Sequence, residues 1–165
     1  MTDLGTLGGT YSYGLGINAS GQVAGYANLS NGDFNAFIYR DGKMTDLGTI
    51  AGYTNTEGLA INNSGEVVGE AYTTSPLLST AILYSNGQMV DLNSLLPVGS
   101  GWTLTEAEGI DSRGDIVGVG TNAAGQTHAF LMTLQSVPEP SSLILSAIAF
   151  AATAFGVLWR NRRAR

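Results

Sequence analysis

Ile17-Asn18-Ala19-Ser20-Gly21-Gln22-Val23-Ala24-Gly25 recurs as Ile61-Asn62-Asn63-Ser64-Gly65-Glu66-Val67-Val68-Gly69, and again as Ile110-Asp111-Ser112-Arg113-Gly114-Asp115-Ile116-Val117-Gly118. Two other motifs keep step with it. Met1-Thr2-Asp3-Leu4-Gly5-Thr6-Leu7 returns at Met44–Ile50 and, as Met-Val-Asp-Leu-Asn-Ser-Leu, at Met89–Leu95. Ala36-Phe37-Ile38-Tyr39 returns as Ala81-Ile82-Leu83-Tyr84 and Ala129-Phe130-Leu131-Met132. Successive copies stand 43 to 49 residues apart, a period shared by propeller blades and by helical HEAT-type repeats. The interior of the repeat decides between them. No stretch holds a 3.6-residue apolar period over three turns, and glycine interrupts every candidate helix, so the repeat is β.

Each motif has a mechanical reading. The Asn of Ile-Asn-x-x-Gly hydrogen-bonds its own turn and the Gly takes positive φ, giving a hairpin between two β-branched strand ends. Asp111 keeps that turn chemistry in the third copy. The runs at 34–39, 81–84 and 129–132 are nearly continuously apolar, as in strands buried on both faces. Asp41-Gly42, Asn86-Gly87 and Ala124-Gly125 mark further turns. The expectation is an all-β body at 1–135, with three propeller-blade-like four-stranded units at about 1–43, 44–88 and 89–135. Three units do not close a propeller of four to eight blades, so the array is open or partial.

Composition agrees and excludes much else. Of 165 residues, 44% are apolar, 23 are glycine and only 12% are charged, which suits a turn-rich, strand-rich chain with a real core. The absence of cysteine removes disulfide scaffolds, thiol catalysis and cysteine zinc sites, and a single histidine removes multi-histidine metal sites. Residues 1–136 hold three basic side chains (Arg40, Lys43, Arg113) against twelve acidic ones, a net −9 that repels phosphate backbones and argues against nucleic acid.

The other basic residues crowd the end. Leu143 to Trp159 reads LILSAIAFAATAFGVLW, 17 residues without a charge, and Arg160, Arg162, Arg163 and Arg165 follow. A helix of that length spans about 26 Å, near the lower limit for a bilayer core of ~30 Å. It is apolar all round, with Leu143, Phe150, Phe155 and Trp159 among its anchoring side chains, and the arginines place the tail in the cytoplasm with the repeats outside. A buried core helix is the competing reading, but four arginines abutting one would have no role. Residues 136–142 form a proline-rich linker, in which Val137-Pro138-Glu139-Pro140 is held extended and accessible.

Pro-Glu-Pro, an apolar helix and an arginine-rich end, in that order at a C-terminus, resemble the PEP-CTERM sorting signal. The resemblance implies recognition of Pro138, Glu139 and Pro140 by an exosortase, a membrane-embedded transpeptidase. It further implies residence in the inner membrane until processing near the motif, then delivery to the cell surface or exopolysaccharide matrix of a Gram-negative bacterium. Met1–Gly16 has neither a basic n-region nor an apolar h-region, so it does not read as a signal peptide, and the expectation is a chain that begins inside a longer reading frame. The Met-Thr-Asp-Leu-Gly opening and His128-Ala129-Phe130 resemble the HAF repeat of bacterial extracellular proteins. That resemblance implies propeller-like sheets and no catalytic activity.

Chemistry in the body is thin. Glu106 and Glu108, two apart on a strand, are a candidate glycosidase pair, but neither of the other repeats has one. Asp111 and Asp115 flank Gly114 in a pattern that fits no calcium loop. His128 lacks a nucleophile to serve. Tyr11, Tyr13, Tyr26, Tyr53, Tyr72 and Trp102 are candidates for stacking on sugar rings, or for plain packing. The sequence therefore reads as a non-enzymatic exported surface or matrix protein without metal or cofactor. Its expected partners are an exosortase and exopolysaccharide, and a carbohydrate-binding or carbohydrate-active propeller is the alternative.

Overall fold

The computed structural model describes residues 1–133, and this body is built of β-strands with one short 3-10 helix at Leu92–Leu95. Sheet 1 comprises β1 (Gly8–Ile17), β2 (Val23–Leu29), β3 (Phe34–Arg40) and β4 (Lys43–Asp46). Sheet 2 comprises β5 (Asn55–Ile61), β6 (Val67–Thr74), β7 (Leu77–Ser85) and β8 (Gln88–Asp91). Sheet 3 comprises β9 (Thr103–Ile110), β10 (Ile116–Thr121) and β11 (Thr127–Met132). All three are antiparallel meanders, stacked in chain order, and the sheets do not close into a barrel.

Two expectations change. The four-stranded unit holds for sheets 1 and 2, whereas sheet 3 has three strands among the described residues. The reason lies in the phase of the repeat. The Met-x-Asp segment that opens the second and third sequence units is the fourth strand of the preceding sheet, as β4 and β8. The sheets therefore run 8–46, 55–91 and 103–132, offset from units cut at 1–43, 44–88 and 89–135. The sequence after β11 holds no further copy of Met-x-Asp-Leu. The proposed helix at 143–159, its linker and its basic tail lie outside the described residues. Among the described residues no helix is long and apolar enough to cross a membrane.

The first strand of each sheet carries the same bulge. Gly14 pairs Gly25 and Gly16 pairs Ala24, skipping Leu15; Leu59 and Glu108 are skipped in the corresponding places of β5 and β9. This kink presses the carbonyl of the residue before it onto the next strand. A Cβ on Gly25, Gly69 or Gly118 would overlap the carbonyl oxygen of Tyr13, Glu57 or Glu106 respectively. That close approach is why the repeat ends Val/Ile-x-Gly.

Packing between sheets is apolar and repeats as the sequence does. Ala24 and Ile38 of sheet 1 meet Ile61 and Val67 of sheet 2, with Leu47 and Tyr84 at the margin. Their counterparts Val68 and Leu83, joined by Ala81 and Leu92, meet Leu104, Ala107 and Ile116 of sheet 3. Ala36, Phe37, Ala81 and Ile82 are buried, as expected of strands covered on both sides, but Ala129 and Leu131 of β11 are exposed. No sheet among the described residues covers the outer face of sheet 3.

Candidate functional site

The Asx turns do more than close hairpins. Asn18 Oδ1 accepts from the backbone N–H of Ser20 and Gln22, and Gly21 sits at φ 74°. Asn62 and Asp111 repeat the geometry on Ser64 and Glu66 and on Arg113 and Asp115. The amide end reaches across to the neighbouring sheet: Asn18 Nδ2 donates to the Asn62 carbonyl at 2.9 Å, and Asn62 Nδ2 to the Asp111 carbonyl at 3.1 Å. The three turns are thus wired in series, and the series stops at Asp111, whose carboxylate has no N–H to give. A fourth turn of this kind, on Asn122, joins β10 to β11 with Gly125 at φ 74°.

A second row runs across the sheets at one register position. Tyr13 lies opposite Tyr26, Glu57 opposite Glu70, and Glu106 opposite Val119. The two tyrosine rings stack with centroids 4.9 Å apart, and Tyr72 Oη donates to Glu57 Oε1 at 3.1 Å. The glutamates are half-buried and repel one another. Desolvation first, then the charges of Glu106 and Glu57, push the Glu70 carboxyl up to about 7. Desolvation also raises Glu57, partly offset by the Tyr72 hydroxyl and reinforced by Glu106. Burial and then Glu108 raise Glu106. Tyr26 and Tyr72 are raised in turn by burial and by Glu57, so near neutrality both hydroxyls stay protonated, and Tyr72 donates to the Glu57 carboxylate.

The sequence candidates fall in separate places. Glu106 joins Glu57 and Glu70 of sheet 2, and Glu108, the exposed bulge residue, still lies close enough for its charge to raise the Glu106 carboxyl. Glu57 and Glu70 are each isolated in sequence and carry no local motif. The signal was available in the repeat register, which aligns Tyr13, Glu57 and Glu106. Arg113 Nε lies 3.0 Å from Asp111 and its Nη2 2.9 Å from Asp115, so a guanidinium occupies the place suggested for calcium. Slight desolvation opposes ionisation of Asp111, but the Arg113 and Asp115 N–H groups and that guanidinium hold its carboxyl below the usual range. His128 is an exposed strand residue whose Nδ1 is 3.4 Å from Asn122 Nδ2.

Of the aromatic candidates, Tyr13, Tyr26 and Tyr72 belong to the glutamate row and Tyr11 is exposed. Tyr53 and Trp102 line a separate groove of about 610 Å³ with polar walls from Ser79, Thr80, Asn93 and Thr103. Asn93 shapes it by clamping sheet 3, donating to the Leu104 carbonyl at 2.8 Å and accepting from its N–H at 2.7 Å.

The residues read as the sorting motif (Val137, Pro138, Glu139, Pro140), the membrane anchor (Leu143, Phe150, Phe155, Trp159) and the basic tail (Arg160, Arg162, Arg163, Arg165) all lie outside the described residues. No curated protein and no solved structure matches the chain. Residues 136–163 match the PEP-CTERM protein-sorting motif, which supports the C-terminal sorting signal and an exported protein handled by an exosortase.

Proposed function

We propose that the chain is a non-enzymatic surface or matrix protein, held in the inner membrane by Leu143–Trp159 until an exosortase processes it near Pro138-Glu139-Pro140. The observation that carries this reading is the family match over 136–163, which spans the tripeptide, the apolar stretch and all but the last arginine. The positive tail fixes the orientation, with the repeats on the far side of the membrane. Reading the body as a HAF-type repeat rests on its Met-Thr-Asp-Leu-Gly openings and Ala-Phe strands. The stacked three-sheet architecture is compatible with the propeller-like sheets that such a repeat implies.

The experiment is processing in an exosortase-bearing host, following the size and location of the product. Glu139→Ala lies outside the apolar stretch and should leave insertion intact while blocking cleavage. Ala151→Arg should cost about 2.5–3.5 kcal/mol of insertion and largely abolish membrane residence. If Glu139→Ala is processed like the parent chain, the sorting reading fails and a plain C-terminal anchor remains.

The second reading is a carbohydrate-binding body, favoured by the Tyr53–Trp102 groove with its hydroxyl and amide walls. An aromatic face beside such groups suits a sugar ring. Retention of the chain on exopolysaccharide, lost in Trp102→Ala, would establish it. Hydrolysis abolished by Glu70→Gln or Glu106→Gln would instead make the protein an enzyme.

A further inference from the structure

Both ends of the three-sheet stack present surfaces that the interior junctions bury. Ile17 of sheet 1 is 72% exposed, whereas its counterpart Ile61 is 8% exposed against sheet 1. At the other end Leu131 is 66% exposed, whereas its counterparts Ile38 and Leu83 are 7% and 6% exposed. Ile17 is thus the kind of residue that receives a preceding sheet, and Leu131 the kind that receives a following one. Each interior junction joins one face of each kind, so the two ends are complementary to each other.

The edges tell the same story. β11 is an edge strand, and among the described residues nothing pairs its outer side. In sheets 1 and 2 that side is taken by Met-x-Asp, with Phe37 opposite Asp46, Ile38 opposite Thr45 and Tyr39 opposite Met44, and likewise Ile82, Leu83 and Tyr84 opposite Asp91, Val90 and Met89. The first copy of the motif, Met1-Thr2-Asp3, belongs to no strand. Its turn is nevertheless already formed: Asp3 Oδ1 accepts from Gly5 N–H at 3.0 Å, as Asp46 does from Gly48 at 2.7 Å and Asp91 from Asn93 at 2.8 Å.

We infer that Met1–Asp3 and the Ile17 face of one copy dock on the β11 edge and the Leu131 face of a second copy of this chain, reproducing the two interior junctions between molecules. Asp3, Thr2 and Met1 then stand opposite Phe130, Leu131 and Met132. Asp46 accepts from Asn35 Nδ2 at 2.9 Å and Asp91 from Thr80 Oγ1 at 2.7 Å; the corresponding β11 residue is His128, which meets the second copy's Asp3. Leu4 takes the place of Leu92, which is fully buried between sheets 2 and 3. One link is missing. An interior junction has an Asn amide donating to the next turn's carbonyl, and here the donor position is Asp111. The intermolecular junction is therefore weaker than the two within the chain, and reversible. Because the contact is head-to-tail, two copies joined at both ends would bring together six sheets, within the four to eight of propellers.

The sequence has no cysteine, so single cysteines report the junction cleanly. The full chain in mild non-ionic detergent is prepared as Thr2→Cys, with a mass tag, and separately as Leu131→Cys. Mixed and oxidised, they should yield the tagged–untagged dimer at least tenfold above a control mixture in which Asn31→Cys, in the β2–β3 turn, replaces Leu131→Cys. Mixed dimer no more abundant than in the control, or homodimers of Thr2→Cys alone, would overturn the inference. Independently, Ile17→Arg and Leu131→Arg, both at exposed positions, should each abolish association alone and restore a one-junction pair when mixed. Association that survives both substitutions arises elsewhere, for instance through the apolar stretch at 143–159, and also overturns it. Asp111→Asn supplies the missing donor and should tighten association several-fold.

Discussion

β3 and β11 are almost the same strand by sequence, Asn35-Ala36-Phe37-Ile38 against His128-Ala129-Phe130-Leu131, and they live in opposite surroundings. Ala36, Phe37 and Ile38 are buried, while Ala129 and Leu131 are exposed. What differs is the next sheet: sheet 2 covers β3, and nothing among the described residues covers β11. An apolar run therefore specifies a strand that is able to be covered on both faces, and the stacking neighbour decides whether it is. The contrast can be broken at several points, and the expected effects differ widely in size.

The largest effect belongs to the glycine beneath the bulge. Gly69→Ala forces a methyl group into the Glu57 backbone in the doubly covered central sheet, where neither strand can retreat. A loss of more than about 3 kcal/mol in urea unfolding is expected. Gly118→Ala makes the same clash with Glu106, but sheet 3 is free on one side to relax and should lose less.

Next comes the apolar pair itself. Ile38→Ala empties a buried position at the junction of sheets 1 and 2 and should cost about 2–4 kcal/mol. Leu131→Ala, at the matching position, should cost no more than about 0.5 kcal/mol in dilute solution, because it removes little that is buried within the chain. Equal losses would mean that β11 is covered after all. Melting curves of the two variants, taken at low and high protein concentration, decide the matter.

A smaller change tests the turn relay. Asn62→Asp keeps the acceptor for Ser64 and Glu66 N–H but removes the donor to the Asp111 carbonyl and sets a charge beside Glu66. About 1–3 kcal/mol should be lost. Asp111→Asn, at the end of the relay, has no next turn to donate to among the described residues and weakens only an exposed pairing with Arg113, so it should change the stability of the isolated chain by much less.

These contrasts also explain what was legible from sequence. The strands, turns and stacking were readable because each rests on local chemistry repeated three times: an Asx side chain, a glycine, an apolar run. The phase of the sheets was not, because Met44-Thr45-Asp46 is a strand by virtue of pairing with β3, and a repeat can be cut anywhere within its period. The bulge at Leu15, Leu59 and Glu108 was hidden for the same reason, because only strand pairing shows which residue is skipped. Glu57 and Glu70 meet only through strand register, and Tyr53 and Trp102 only through the stacking of sheets 2 and 3. The sorting motif at 136–163 was legible because its parts follow one another along the chain, with no folding needed to assemble them.

The last contrast concerns one register position in two sheets: Tyr13 faces Tyr26 in sheet 1, where sheet 2 has Glu57 facing Glu70. The tyrosine pair is neutral and stacks. In the glutamate pair, burial first and then the charges of Glu106 and Glu57 make the folded state hold the Glu70 proton more tightly, with a value of about 7 against an ordinary 4.5. A carboxyl raised on folding stabilises the protein fully below its unfolded value, and that stability is lost as pH climbs through about 7, after which the curve is flat. The whole shift would correspond to about 3 kcal/mol, and screening at a half-exposed site leaves about 1–2 kcal/mol. The body should therefore be more stable at pH 5 than at pH 8. Glu70→Gln should raise stability at pH 8 while leaving pH 5 almost unchanged, flattening most of the slope and leaving a remainder from Glu57 and Glu106. Urea midpoints at the two pH values measure it directly. A parent chain whose midpoint rises with pH, or a Glu70→Gln variant with the parent's slope, would show that the charge repulsion in the row is relieved by solvent and that the two sheets are electrostatically equivalent at this position.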